Sequence, residues 1–495
     1  MFGAVCRKQQ LLIVLLSVVA AVRVFIFAAA FPFFSSGDED LHFDLITQYS
    51  AGRLPRTFDV LTNESLSFIV PYASPEFLQT PDQFPHAQFP PPLWKQSAAE
   101  AARIIEVTKA AWEKEINWES SQPPLYYAFA GFWWRIGQYI GLTQIESLYW
   151  IRFLNCLLIS ILVWLGYVVV RTIGLEHLGL SIGVPLLLAF MPQDVLYVLS
   201  NDVLSPVCFG VVFLCALQWL KTHRPSVLLG VLTGLAIAAT YLTKLSNLPL
   251  LTVAIIAITA KWLQMLRHQP GVTTLSLILT ILCAGVPIGG WMLWSKLHFG
   301  DVAGSTTAIA LLTWTPKPLA DWWRHPIFSP QGLWTFWSEV IARFWRGELM
   351  WQNRELSWRV ADSFYAISSL LLFCAALIGI RQHNMLSTFQ RQALFLAALT
   401  FVAALAFFAL LSVWFDFGQC IYPSRAHPYF TSGRLMSGAL IPFALLYVYG
   451  IGYLLRRVGP VAPIIVVVGV MTFATVSEIF INRAVFVSEH NWFHL

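Results

Sequence analysis

The sequence predicts an all-α polytopic membrane protein of about 11 transmembrane helices, with two large external loops that carry juxtamembrane helices. Three observations predict it. Of 495 residues, 57% are hydrophobic and only 12% charged, where a soluble domain carries about 25% charge. Apolar runs recur along the chain at the length that crosses a hydrocarbon core of ~30 Å. Finally, Lys and Arg cluster in short loops between those runs, as cytoplasmic loops do. The net charge of +5 therefore belongs to membrane-flanking loops, and no nucleic-acid partner is expected.

The apolar runs cover 11–34, 150–171, 178–200, 203–220, 226–243, 247–262, 272–297, 361–380, 391–415, 433–455 and 460–481. The first is too long, and lacks a small-residue cleavage site, for a removed signal peptide, and is expected to stay as a signal anchor. A further stretch, 123–141, begins Pro123-Pro124, is crowded with Tyr126, Tyr127, Trp133 and Trp134, and carries Arg135. Short loops hold Arg171, then Lys221 and Arg224, then Lys261 and Arg267, then Arg381 and Arg391, then Arg456 and Arg457. With Arg7 and Lys8 inside, all of these lie in the cytoplasm only if 123–141 does not cross. It is therefore expected as an interfacial helix, its Trp and Tyr at headgroup level. The chain then divides into a membrane module, 1–297, that includes the first external loop, 35–149. A Trp-rich external loop, 298–360, and C-terminal membrane helices, 361–495, follow. The amino terminus is expected inside and the carboxyl terminus outside.

Five cysteines (Cys156, Cys208, Cys215, Cys283 and Cys374) fall in apolar runs, and no Cys-x-x-Cys or Cys/His metal spacing occurs. Packing is their expected role, with no disulfide framework. The chemistry-bearing residues cluster elsewhere. Asp38, Glu39, Asp40 and His42 directly follow the first run, and Glu119-Ser120-Ser121-Gln122 precedes the 123–141 stretch. A carboxylate beside a membrane can take a hydroxyl proton as general base, and neighbouring carboxylates raise one another's pKa. The same three acids could instead cap a juxtamembrane helix. Arg23 falls mid-span, where a charge must face the bundle or a wet cavity. The 298–360 loop carries Trp314, Trp322, Trp323, Trp334, Trp337, Trp345, Trp351 and Trp358 among Arg343, Arg346, Glu348, Arg354 and Glu355. Those rings suit sugars or lipid headgroups, and the loop is expected to cover the first one.

On four motifs the chain resembles the membrane-embedded GT-C glycosyltransferase superfamily, most of all its bacterial aminoarabinose transferase and protein O-mannosyltransferase branch and that branch's uncharacterised relatives. The motifs are Gly37-Asp38-Glu39-Asp40-Leu41-His42-Phe43, Gln122-Pro123-Pro124-Leu125-Tyr126-Tyr127, Ser200-Asn201-Asp202 and Ser432-Gly433-Arg434. The resemblance implies a GT-C-like fold and an inverting transfer, on the external face of a bacterial inner membrane, from a polyprenyl-phosphate-linked sugar to a glycan, lipid or protein acceptor. It implies an acidic catalytic base in the first external loop: Asp38, with Glu39 next. Substrate-binding positions would be Asp40, His42, Gln122, Tyr126, Arg152, Asp202, Lys244, Arg425 and Arg434, the cations facing the leaving phosphate. Interfacial snorkelling is the alternative for Arg152, Lys244 and Arg434, and capping of the fourth span for Asp202. No cofactor is expected and no metal is assigned, although some branches use a divalent ion. The alternative function is a transporter or flippase of lipid-linked sugars or small solutes, which would line its spans with ionisable groups.

Overall fold

The first apolar run folds as α1 (Phe2–Ala30), which packs along α6 (Gln144–Ile173). The computed structural model describes residues 2–35, 37–175, 178–382, 386–420 and 422–495. Between α1 and α6 the first external segment folds as α2 (Glu39–Ser50), α3 (Asn63–Tyr72), α4 (Ala98–Trp112) and α5 (Leu125–Tyr139). The membrane helices continue with α7 (Leu178–Phe190), α8 (Ser205–Lys221), α9 (Val227–Thr243), α10 (Leu248–Leu266) and α11 (Pro270–Phe299). Prolines at the first turns of α8, α10 and α11 start those helices, where their missing N–H has no intrahelical partner to lose.

The second external segment forms α12 (Ser305–Leu311), α13 (Leu319–Trp322) and α14 (Pro330–Arg346). It is followed by α15 (Arg359–Arg381), α16 (Thr388–Trp414), α17 (Leu440–Leu454) and α18 (Ala462–Phe486). Four two-residue strands complete the chain: β1 (Thr315–Pro316), β2 (Met350–Trp351), β3 (Arg354–Glu355) and β4 (Phe415–Asp416). The antiparallel pair β1–β4 ties the second external segment to the loop before α17.

Among the described residues, nine helices are long and apolar enough to cross a membrane, and α7 and α9 are shorter apolar helices. All eleven apolar runs coincide with helices. The core is deepest around Gly433–Leu454, the turn leading into α17 and α17 itself, of whose apolar stretch 89% is buried; α17 packs against α7, α15 and α16. α5 has 15 residues, about 22 Å at ~1.5 Å per residue, and lies against α2 and α6. Trp133 of α5 and Trp150 of α6 stack at 4.5 Å, each indole donating to the other's carbonyl.

One expected span is corrected. The 178–200 run is helical only to Phe190, because Pro192 biases Met191 away from helical backbone. The chain then runs irregularly and buried to Leu204. Such backbone is tolerated inside a bundle only where its polar groups are satisfied. Asn155 donates to Leu196 O and Val198 O, both at 3.0 Å. Arg23 donates to Met191 O at 3.0 Å and pairs with Glu478 of α18 at 2.8 Å. The mid-span arginine thus holds α1, α18 and the irregular segment together.

Candidate active site

Asp38 occupies the N-cap position of α2, yet its side chain makes no capping bond. Its backbone is left-handed, with φ 60° and ψ 29°, a conformation Asp adopts more readily than most residues and one that costs energy elsewhere. Asp38 and Glu39, adjacent in sequence, have different surroundings. Asp38 opens into a cavity of about 450 Å³ with its side chain 31% exposed. The capping alternative for this residue is therefore set aside.

The cavity lies where α1, α9, α11 and α16 end and α10 and α17 begin. Its polar wall contains Asp38, His42, Glu119, Gln122, Lys244, Glu348, Ser432 and Arg434, and Trp314 and Tyr422 add aromatic faces. Lys244, at the C-terminus of α9, reaches Asp202 Oδ1 at 2.5 Å. Arg434 lies in the turn leading into α17. Its Nε is 2.6 Å from Glu348 Oε1 and 4.0 Å from Asp202 Oδ2, and its Nη2 is 3.6 Å from Asp38 Oδ2. Gly433 makes this position possible: a Cβ there would lie 2.2 Å from Phe344 N of α14. Ser200, rather than Asn201 or Asp202, caps the turn at 201–204; its hydroxyl donates to Asp202 Oδ2 at 3.0 Å, and Oδ1 faces Lys244.

These surroundings set the protonation of the loop carboxyls. Burial raises Asp38, Arg434 and Lys244 draw it back, and Glu348 raises it again. Burial and the Asp38 charge push Glu119 up to about 7, against the pull of Lys244 and Arg434. Asp40 is raised to about 7 by burial and by Asp38. His42, which shares a 2.9 Å hydrogen bond with Tyr127, is held well below the usual histidine range by burial, Lys244 and Arg434. It is a neutral imidazole near pH 7. Among the described residues no group of three or more His, Cys, Asp or Glu is arranged to hold a metal ion.

The structure brings Asp38, His42, Gln122, Lys244 and Arg434 together on the cavity wall, with Asp202 directly behind the two cations. Four expectations are corrected and a fifth is displaced. Glu39 and Arg152 are both 0% exposed and form a two-point ion pair, at 2.8 and 2.7 Å. Glu39 also accepts from Ser35 N and Leu199 N, while Arg152 caps the end of α1 at Ala28 O, Phe31 O and Pro32 O. Neither has an atom left for substrate. Tyr126 is buried in the core. Arg425 sits on the outer surface, paired with Asp416 at 2.8 Å. Asp40 flanks the cavity without lining it.

Glu348 and Glu119 are cavity residues that the sequence reading noted but did not assign to the site. The available signal was their position: Gly347-Glu348 directly after an amphipathic helix, and Glu119 beside Gln122. Of the loop tryptophans only Trp314 lines the cavity; Trp345 instead stacks on Tyr365 at 4.7 Å inside the bundle.

The helices and this charged pocket at one end of them define an all-α integral membrane protein with a polar cavity at the mouth of its bundle. The chain belongs to the family described as predicted membrane protein (DUF2142), whose model matches residues 22–422. No curated protein matches it. Among solved structures it is similar to the crystal structure of the Archaeoglobus fulgidus oligosaccharyltransferase in complex with Zn and sulfate, at 11% identity and a TM-score of 0.42. That alignment covers 94% of this chain and 52% of the other, so this chain spans about half the length of that protein. The likeness is too distant to transfer a substrate.

Proposed function

We propose that this protein is a membrane glycosyltransferase that moves a sugar from a polyprenyl-phosphate donor to an acceptor at the external face of the membrane. The observation that carries the reading is Asp38, held in left-handed backbone without capping its helix and opened into a cavity shared with Lys244 and Arg434. The four motifs shared with GT-C enzymes support it. The donor's sugar phosphate lies in the cavity with its phosphate between Lys244 and Arg434, and its chain runs into the bilayer.

Asp38 takes the proton of an acceptor hydroxyl as that oxygen bonds to the anomeric carbon. The bond from the anomeric carbon to the phosphate oxygen breaks, and its electron pair leaves with polyprenyl phosphate, whose growing charge the two cations offset. The attack comes opposite the leaving group, so configuration inverts. A transport path would require uncommitted ionisable groups along the spans; Arg23, mid-span, is instead bound to Glu478, Tyr197 and Met191 O.

The test is a purified transfer assay with polyprenyl-phosphate sugars and acceptors extracted from the native membrane. Asp38→Asn is expected to keep donor binding and lose turnover by about 10²–10⁴, the usual worth of a general base. Near-normal transfer by that variant removes Asp38 from the chemistry. Failure of the wild type to bind any polyprenyl phosphate removes the donor class.

A further inference from the structure

Glu348 neither neutralises the donor phosphate nor takes the acceptor proton, yet its backbone is held in place on both sides. The preceding Gly347 has φ 87° and ψ −162°, backbone open essentially to glycine alone. A Cβ there would lie 1.6 Å from Asp194 Oδ1. On the other side Leu349 N donates to Asp194 Oδ2 at 2.7 Å, and Arg346 is anchored to Asp362 at 2.8 Å. Both neighbours of Glu348 are thereby fixed, and Glu348 is held in the cavity wall.

The two carboxylate oxygens differ. Oε1 accepts from the Ser432 hydroxyl and lies 2.6 Å from Arg434 Nε. Oε2 is buried and has no hydrogen-bond partner among the described residues. A buried carboxylate oxygen without a donor is costly and calls for one. Glu348 itself lines the pocket beside Arg434, with Oε2 closed to solvent in the position the side chain takes here.

We propose that Glu348 reads the sugar. When the donor enters, its carboxylate turns so that Oε2 accepts a hydrogen bond from a ring hydroxyl of the sugar, while Oε1 keeps Arg434 aimed at the adjoining phosphate. The inference rests on the donor class proposed above and narrows it to a sugar without an acidic group, since a uronic acid would set carboxylate against carboxylate.

The experiment measures binding by the purified full-length protein, as wild type, Glu348→Ala and Glu348→Gln. The ligands are bare polyprenyl phosphate and its glucosyl, mannosyl, galactosyl, arabinosyl and glucuronosyl forms. The wild type should prefer at least one neutral glycosyl form over the bare lipid and should disfavour the glucuronosyl form. Glu348→Ala should lose that preference by roughly tenfold or more, the worth of a hydrogen bond to a charged group. It should bind the bare lipid at least as tightly, because Arg434 is released from its carboxylate. Glu348→Gln, with a neutral acceptor in place, should lose less; it decides the matter if the alanine variant fails to fold.

A full glycosyl preference in a folded variant overturns the assignment of Glu348 and leaves the donor class standing. A wild type that does not distinguish bare from glycosylated lipid overturns it as well. Only a wild type that binds none of these lipids removes the donor class itself.

Discussion

The molecule carries two arginine-centred clusters, and comparing them separates holding from binding. Around Arg152 everything is closed: both partners are 0% exposed, both Glu39 oxygens are used, and the spare arginine donors cap the end of α1. Around Arg434 three acids share one guanidinium at 2.6 to 4.0 Å, and the group faces a cavity. A fully satisfied buried ion pair fixes geometry and has nothing left to offer a ligand. A cluster with spare acceptors, its cations opening on a cavity, can rearrange around one. Asp38 and Glu39, adjacent in sequence, belong to different clusters, meeting at the left-handed start of α2.

The largest effect that would sharpen this contrast is kinetic. Asp38→Asn should cost about 10²–10⁴ in turnover and leave the melting temperature unchanged, since Asn also tolerates left-handed backbone. A melting temperature that fell with activity would make Asp38 a structural residue like Glu39.

Arg152→Met should do the reverse. It leaves the Glu39 charge buried and unpaired, a loss of about 3–5 kcal/mol of stability, read as a lower yield of folded protein and a lower melting temperature. Adding Glu39→Gln should restore part of that loss. A single variant that melts like the wild type would break the distinction between the clusters.

Gly347→Ala tests whether the open cluster depends on backbone that other residues avoid. With no room for the Cβ, the loop must shift at a cost of about 1–3 kcal/mol, and donor binding should weaken with it. Unchanged melting and binding would show that the loop is not constrained there.

The smallest effect is in pH. Burial, reinforced by Glu348, raises Asp194 to about 7, against the pull of Leu349 N, Arg346 and Arg434. The folded state then holds that proton more tightly than the unfolded state. Its contribution to stability is complete below about pH 4 and is lost as pH rises through about 7, with a slope of up to about 1.4 kcal/mol per pH unit. Asp194→Asn should flatten the fall in unfolding free energy between about pH 4 and pH 7. Parallel profiles for the variant and the wild type would show that Asp194 does not titrate in that window.

Hydropathy and basic-residue placement were legible because each reports a property of a single segment. All eleven apolar runs coincide with helices, and the 178–200 run differs most in length, its helix stopping at Phe190 before Pro192. The acids after α1 and the cations Lys244 and Arg434 were legible as a group for the same reason: charge at the end of an apolar run stands out against it. Which acid faces which cation was not legible. Glu39 and Arg152 are 113 residues apart, and nothing local marks them as each other's partners. Glu348 was hidden among tryptophans and other charges of one loop, and only the fold of Gly347 against Asp194 shows where its side chain is presented.

The sequence by itself therefore determined that the chain is a helical membrane protein, roughly where its helices run, and that its ionisable groups gather at their ends. Those features follow from transfer energies and charge placement, which add up residue by residue along the chain. The tertiary structure alone decided which charges close on one another and which remain open to a ligand. That depends on one left-handed turn at Asp38, one glycine at 347 and the meeting of segments distant in sequence, and the last of these leaves no local signature.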